Sequence, residues 1–424
     1  MLFGSSQSLL HLPGVTVSVD VLLVVEARIA SVQLLEQVFA GLEQSHGVTW
    51  RTVADREITP DDLRENTVPV IVRTTTPAAH LFARTLTQLG VPYVYYTDDN
   101  FWLLDPRTPI GRHYARRSVR RQLEEVVSSA AQVVVSTQPL AQYVSRFNPA
   151  VVHLDAAVNL DKYLPPLPRD PERVVMGFAG SIGRRLDLDA AAEVFLSALE
   201  RHPNLHLEVI GPEVPALAHE RVTTFPYLDD YEAYIAFQRG RRWDIGLAPL
   251  RGSPVQEYKT DVKYREYGAQ GIAGIYQVMR PYAHIRHGET GMLASTPEEW
   301  AEAIDRLVTE PELRERIARQ ARADIEARYA LPVVVERWHE FLGTCTTVGA
   351  SGVDLLTVRS TVASLDFARA ANATRLTRLW LYGLDHLRTY GVARTAKRTT
   401  RFLARRLTGR AGEAEAPGEA QAEK

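Results

Sequence analysis

Lys259, Lys263 and Glu266 stand close together in a charged segment, Lys259 to Gly271, that follows the apolar run Asp244 to Leu250. Thr260 or Asp261 can cap a helix there, and Gly271 can stop it. On such a helix Lys259 and Lys263 lie one turn apart and Glu266 follows Lys263 by three residues, so all three share a face. Lysines near a helix N-terminus oppose its dipole, which prefers anions. A diphosphate gathered by both lysines and the free N–H groups removes that conflict, and Glu266 can accept from two ribose hydroxyls. The same residues also allow a solvated face on which Lys263 and Glu266 simply pair.

A second candidate is Gly177-Phe-Ala-Gly180-Ser-Ile-Gly183-Arg184-Arg185. Gly180 and Gly183 would let backbone approach a phosphate closely, and Arg184 can grip two phosphate oxygens at once. Taken alone, the glycines merely permit a tight turn. With the Lys259, Lys263 and Glu266 group they suit a nucleotide sugar. Asp98 and Asp99 end an apolar run before Asn100-Phe101-Trp102, where one can act as a base, hold acceptor hydroxyls or cap the next turn. Phe101 and Trp102 read equally as core or as a sugar platform. Arg112, His113, Arg116, Arg117, Arg120 and Arg121 read as a solvated helix face or as a site for an acceptor diphosphate lipid. His287-Gly-Glu-Thr-Gly291 reads as a backbone wall beside a donor or as a plain hairpin.

These groups need a scaffold, and the hydrophobic pattern supplies one. Runs at 19–25, 69–73, 93–96 and 133–136 read as strands, with helices at 31–44, 78–89 and 110–128 between them. A four-proline stretch within 163–172 reads as a linker. The alternation then restarts with strands at 174–179, 205–210, 245–247 and 273–278 and helices at 189–201 and 231–238, followed by a helical region at 297–329 that Pro332 breaks before a helix around Trp338. The expected class is α/β, with two doubly wound parallel-sheet domains at 1–162 and 173–345 and a cleft between them. A helical extension is expected at 346–410 and a disordered tail at 411–424.

Composition narrows the partners. Among 424 residues the net charge is −2, so nucleic acid is not expected. Cys345 is the only cysteine, which excludes an intrachain disulfide and any multi-cysteine metal site. Residues 1–14 lack the pattern of a secretion signal, and no stretch offers about 20 uninterrupted apolar residues. The expected location is the cytoplasm. Arg375 to Leu407 combines leucines and Trp380 with an all-basic face; it reads as a helix packed on its own protein or as one docked on an anionic membrane surface.

Gly177 to Gly183, Asp244 to Leu250, Lys263 to Gly271 and His287 to Ile304 resemble, in order and spacing, the nucleotide-sugar domain of GT-B glycosyltransferases, above all glycosyltransferase family 4 and its bacterial polysaccharide-assembly relatives. The resemblance covers about 173–342 and extends more loosely to Tyr93–Asp99 and 133–146. It implies sugar transfer from a nucleotide diphosphate to a glycan or lipid-linked acceptor, with retention and without metal or other cofactor. Glu266 would match the second glutamate of the family's paired motif and bind ribose, with Lys263 and Arg184 on the diphosphate. The first glutamate's place is taken by Tyr258, one position from Glu257, which is the nearest candidate for a donor-sugar contact. Gly271-Ile272-Ala273 replaces the usual Gly-Xaa-Pro, and Val25 to Ile29 stands where a glycine-rich loop is usual. Two alternatives stay open: an inverting enzyme using Asp98 or Asp99 as base, and a noncatalytic GT-B scaffold recruited to a membrane.

Overall fold

The structure is a computed structural model that describes residues 19–163, 170 and 172–372. The first half runs β1 (Asp20–Val25), α1 (Ala30–His46), β2 (Thr49–Ala54), β3 (Thr67–Val72), α2 (Pro77–Leu89), β4 (Val94–Thr97), α3 (Pro109–Tyr114), α4 (Arg117–Ser129), β5 (Gln132–Val135), α5 (Gln138–Val144) and β6 (Val151–His153). Its six strands are all parallel, in the order β2-β1-β3-β4-β5-β6. The second half runs β7 (Val174–Ala179), α6 (Arg185–Arg201), β8 (Leu205–Gly211), β9 (Val222–Pro226), α7 (Tyr231–Gly240), β10 (Ile245–Ala248), α8 (Val262–Ala269), β11 (Ala273–Gln277), β12 (Met292–Ala294), α9 (Pro297–Thr309) and α10 (Pro311–Tyr329). Its six strands are also parallel, in the order β12-β11-β10-β7-β8-β9. Strands buried on both faces, such as β1 and β7, need helices on both sides, and each sheet has them.

Two expectations about helices change. The single helix anticipated at 110–128 is interrupted at Ala115 and Arg116, where Arg116 is extended (φ −66°, ψ 132°). The interruption lets Tyr114 stack on Phe101 (4.5 Å, 12° between planes) while α4 turns Val119, Leu123 and Val126 into the core below α2. The region at 297–329 divides at Glu310 into α9 and α10, and the break expected before Trp338 falls at Ala330 (φ −54°, ψ 140°), with Pro332 in the first turn of α11 (Leu331–Leu342), where its missing N–H costs no hydrogen bond.

The second half also ends earlier than 345. Val334, Val335, Trp338 and Phe341 of α11 belong to the core of the first sheet, with Trp338 edge-on to Phe39 of α1 (5.3 Å, 63°). Gly41 permits this close crossing, since a Cβ there would stand 2.6 Å from Val335 Cγ2. Beyond it, Val348 and α12 (Leu355–Ala363) cover the opposite face of the same sheet through Val358 and Val362. The described part of the expected extension is therefore a cover for the first domain. Arg375–Leu407, the 411–424 tail and most of the 163–172 linker lie outside the described residues.

Candidate active site

A cleft of about 320 Å³ opens where the carboxyl ends of the two sheets face each other. Lys259, Lys263, Glu266, Arg184 and Gly180 of the second half line it, as do Asp98 and Asp99 of the first. Strand ends are where an open α/β sheet presents loops and helix starts to a ligand.

On the second-half side the cations are held by acids. Arg184 follows β7 and places Nε 3.1 Å from Asp187 Oδ2, with Nη2 donating to the Pro249 carbonyl at 3.2 Å. Asp187 is buried and also accepts from Gln256 Nε2 (2.8 Å) and the Arg251 N–H (3.1 Å), so one carboxylate ties the arginine to the loop after β10. Lys263 Nζ donates to Glu266 Oε2 at 2.8 Å, and the Tyr234 hydroxyl donates to the same oxygen at 3.0 Å. The i,i+3 pairing anticipated for Lys263 and Glu266 is present, but in a buried wall of the cleft rather than on a solvated face. Burial first, and the Glu266 charge next, raise the Tyr234 pKa well above that of an ordinary phenol, so it stays a donor.

Several expected placements change. Lys259 is not on the helix, because α8 starts only at Val262; it follows the 3₁₀ turn Pro254–Tyr258 in extended conformation (φ −64°, ψ 154°). Asp261 occupies the N-cap position without capping through its side chain, since Oδ1 accepts from Arg265 Nε at 2.9 Å. That arginine is itself buried and donates to the Ala156 carbonyl of the first half at 2.9 Å. Burial, the largest influence, lowers its pKa, but Asp261, Tyr329 and Tyr231 together raise it above the ordinary value, leaving it firmly charged. Gly271 does end the segment, at φ 65°. Gly177 lies within β7 and serves packing: a Cβ would stand 1.8 Å from Trp243 Cδ2. Gly180 lines the cleft, whereas Gly183 does not.

Glu257 and Tyr258 both turn away from the cleft lining. The Glu257 carboxylate meets Arg280 (Nε 4.0 Å), and Tyr258 packs edge-on to Tyr143 of the first half (5.3 Å, 76°) while its carbonyl accepts from Thr137 Oγ1 at 3.3 Å. Neither side chain is among those that line the cleft. His287 and Gly291 close a small bridge away from the cleft, and Leu293 N–H donates to His287 Nδ1 at 3.1 Å. Phe101 and Trp102 are core; Trp102 stacks on Phe147 at 4.7 Å. The arginines after Arg112 stay off the cleft, with Arg120 donating to the Trp102 carbonyl.

On the first-half side one residue invisible to motif reading organises the acids. Arg73 follows β3 with φ 56°, a region that non-glycine residues rarely occupy. Its guanidinium pairs with Asp98 through Nη1 and with Asp99 Oδ2 through Nη2 at 3.0 Å. Lys259 Nζ reaches across from the other half to Asp99 Oδ1 at 2.5 Å. Neither acid caps the next turn; the Asn100 side chain accepts from Trp102 N–H instead. Burial pushes the Asp99 pKa up, but Lys259 and then Arg73 outweigh it and hold the carboxyl at about 2. Arg73 stands at the carboxyl end of an apolar run, as Asp98 does, and that position was the available signal. Tyr234 had none beyond its place on a helix that reads as ordinary.

Comparison with known proteins agrees with this geometry. Residues 184–342 match the family described as "Glycosyl transferase-like". The chain is similar to glycosyltransferase 1 domain-containing protein 1 of Xenopus tropicalis, 26% identical over 144 residues, a span of 33% of this chain and 41% of that protein. Less than half of that relative is therefore matched. Among solved structures, the Anabaena protein HepE in complex with UDP and glucose superposes with a TM-score of 0.55 at 12% identity, covering 77% of this chain and all of HepE. Sucrose-phosphate synthase from Thermosynechococcus elongatus superposes with a TM-score of 0.56 at 12% identity, covering 76% of this chain and 98% of that one. The shared architecture, two six-stranded parallel sheets facing across a cleft, is GT-B.

Proposed function

We propose that this GT-B chain, with a glycosyl transferase-like region at 184–342, transfers a sugar from a nucleoside diphosphate donor to a glycan or lipid-linked acceptor. One observation carries the reading: Arg184 and Lys263, each fixed by a buried acid, share a single cleft with Glu266 and face Asp98 and Asp99 across it. Lys263 and Arg184 would stabilise negative charge growing on the departing diphosphate, and their acids hold them in place beforehand. Glu266 would take the ribose hydroxyls. The UDP and glucose held by HepE support a nucleoside diphosphate sugar as the donor class.

The site also favours retention over inversion. A carboxyl held at about 2 is a feeble base near neutrality, which argues against Asp99 as the proton acceptor of an inverting reaction. In the retaining course the bond from the anomeric carbon to the phosphate oxygen breaks and the acceptor oxygen bonds on the same face. The acceptor proton passes to the departing phosphate, and Asp98 and Asp99 position acceptor hydroxyls. No metal is invoked. Ala30, Leu34 and Leu35 make an apolar wall in the cleft, which supports an acceptor with an apolar portion, as in cell-surface polysaccharide assembly on a lipid carrier. No helix of the described residues is long and apolar enough to cross a membrane; the basic stretch Arg375–Leu407, outside the described residues, is the proposed contact with an anionic membrane surface.

The turned-away Glu257 and Tyr258 favour one rival, a noncatalytic scaffold. Calorimetry with UDP-, GDP- and dTDP-sugars separates the two. At least one donor binds the wild-type chain, and Lys263→Ala and Glu266→Ala each weaken it by at least about tenfold, roughly 1.4 kcal/mol, while both still melt cooperatively, at a lower temperature because each leaves a buried charge unpaired. The enzyme reading is abandoned when no donor binds, or when both variants bind as the wild type does. NMR of the product anomer then reports retention or inversion.

A further inference from the structure

The second half brings four cations to the cleft, Arg184, Lys259, Lys263 and Arg265, and they are held differently; Arg265 is buried on Asp261 of its own half. Arg184 is paired with Asp187, and Lys263 with Glu266, both within the same half. Lys259 is paired across the cleft, with Asp99 of the first half. Its backbone is anchored independently of its ammonium group, because the preceding Tyr258 docks on Thr137 and Tyr143. The side chain is a flexible four-carbon stem, 37% exposed, so its tip can move while its base stays fixed. Asp99 does not rely on Lys259 alone, since Arg73 donates to its other oxygen at 3.0 Å.

We propose that Lys259 is an exchangeable cation, alternating between Asp99 and the donor diphosphate, so that Asp99 is a built-in competitor of the donor. The inference rests on the reading that the cleft takes a nucleoside diphosphate, and it adds a coupling between the halves that the reading does not contain. A diphosphate offers more charge and more acceptor oxygens than one carboxylate, which favours transfer of the ammonium group to it. Arg73 remains on Asp99 afterwards, so transfer leaves no bare charge in the wall, the situation that makes breaking buried ion pairs costly. The move frees Asp99 Oδ1 to accept from an acceptor hydroxyl and removes a salt bridge between the halves. Donor arrival thereby completes the acceptor side.

Calorimetry with UDP, GDP, dTDP and ADP on the wild-type chain, Asp99→Asn, Lys259→Met and the double variant tests this. Asp99→Asn gains affinity by about tenfold, Lys259→Met loses a similar factor, and the double variant matches Lys259→Met because no ammonium group remains to be released. Asp99→Ser, checked by thermal melting, gains affinity in the same direction and separates loss of a competitor from local collapse. The exchange is overturned if nucleotides bind and the Asp99 variants gain nothing, or if Lys259→Met binds as tightly as the wild type. If no nucleoside diphosphate binds any of the five chains, the donor reading falls and the exchange with it.

Discussion

Lys263 and Glu266 meet within one helical turn, whereas Lys259 and Arg73 find their acid partners on other elements. Three-residue spacing found Lys263 and Glu266, whose pairing is local and needs only a helical turn. It misplaced Lys259, because helix entry depended on where Asp261 directed its carboxylate, and that was settled by Arg265 and a carbonyl of the other half. Arg73 is visible in the sequence only as a residue at a strand end, because its meaning lies in two acids from a neighbouring strand end. The Asp99 cluster makes a prediction of its own. Its carboxyl is held at about 2 against an ordinary 3.8, so its stabilising contribution is full above about pH 4 and is lost as pH falls toward 2. Denaturant unfolding of the wild type and Asp99→Asn should show the wild-type advantage shrinking by on the order of 2 kcal/mol between pH 5 and pH 2. A pH-independent difference would mean that the carboxylate is not held in this way.

At the scale of elements, legibility followed burial. Central strands such as β1, β3, β7 and β10 are covered on both faces and appear in the sequence as apolar runs. The outermost strands β2, β6, β9 and β12 stand outside the runs read as strands, since an edge strand is short or half exposed and carries no such run. The glycine-rich stretch after β7 shows the same limit. Gly177 looked like part of a phosphate loop, but it is a notch for Trp243, whose indole N–H donates to Glu208 at 2.8 Å beneath the sheet. Gly177→Ala should therefore destabilise the fold by about 1–3 kcal/mol, the usual range for overpacking a filled core. Gly183→Ala, whose Cβ would meet nothing nearer than Ser181 Oγ at 3.8 Å, should leave stability nearly unchanged. Equal unfolding midpoints for the two variants would refute the notch.

At the scale of the whole molecule, the chain crosses back, and no local pattern announces it. The apolar spacing around Trp338 correctly indicated a helix, yet the sequence could not say which sheet would bury it. The structure answers through contact: Trp338 meets Phe39 and Tyr96, Arg337 pairs with Asp155 at 2.9 Å, and Val348 N–H donates to the Thr67 carbonyl at 2.8 Å. Residues 331–367 therefore complete the first domain from the far end of the sequence, and the wall of the cleft nearest Trp338 exists only when they have returned. A chain ending at Tyr329 would leave Phe39, Leu42 and the face of α1 exposed as a contiguous apolar patch. Limited proteolysis should then cut within 20–163 while 173–329, whose core under α6 and α9 is built from its own residues, resists. Trp338→Ala in the full chain should produce a milder form of the same asymmetry, costing about 3–5 kcal/mol as expected for removing a large buried aromatic. Equal resistance of both halves in the truncated chain would show that the first domain folds without its returning helices, and that the cleft does not depend on them.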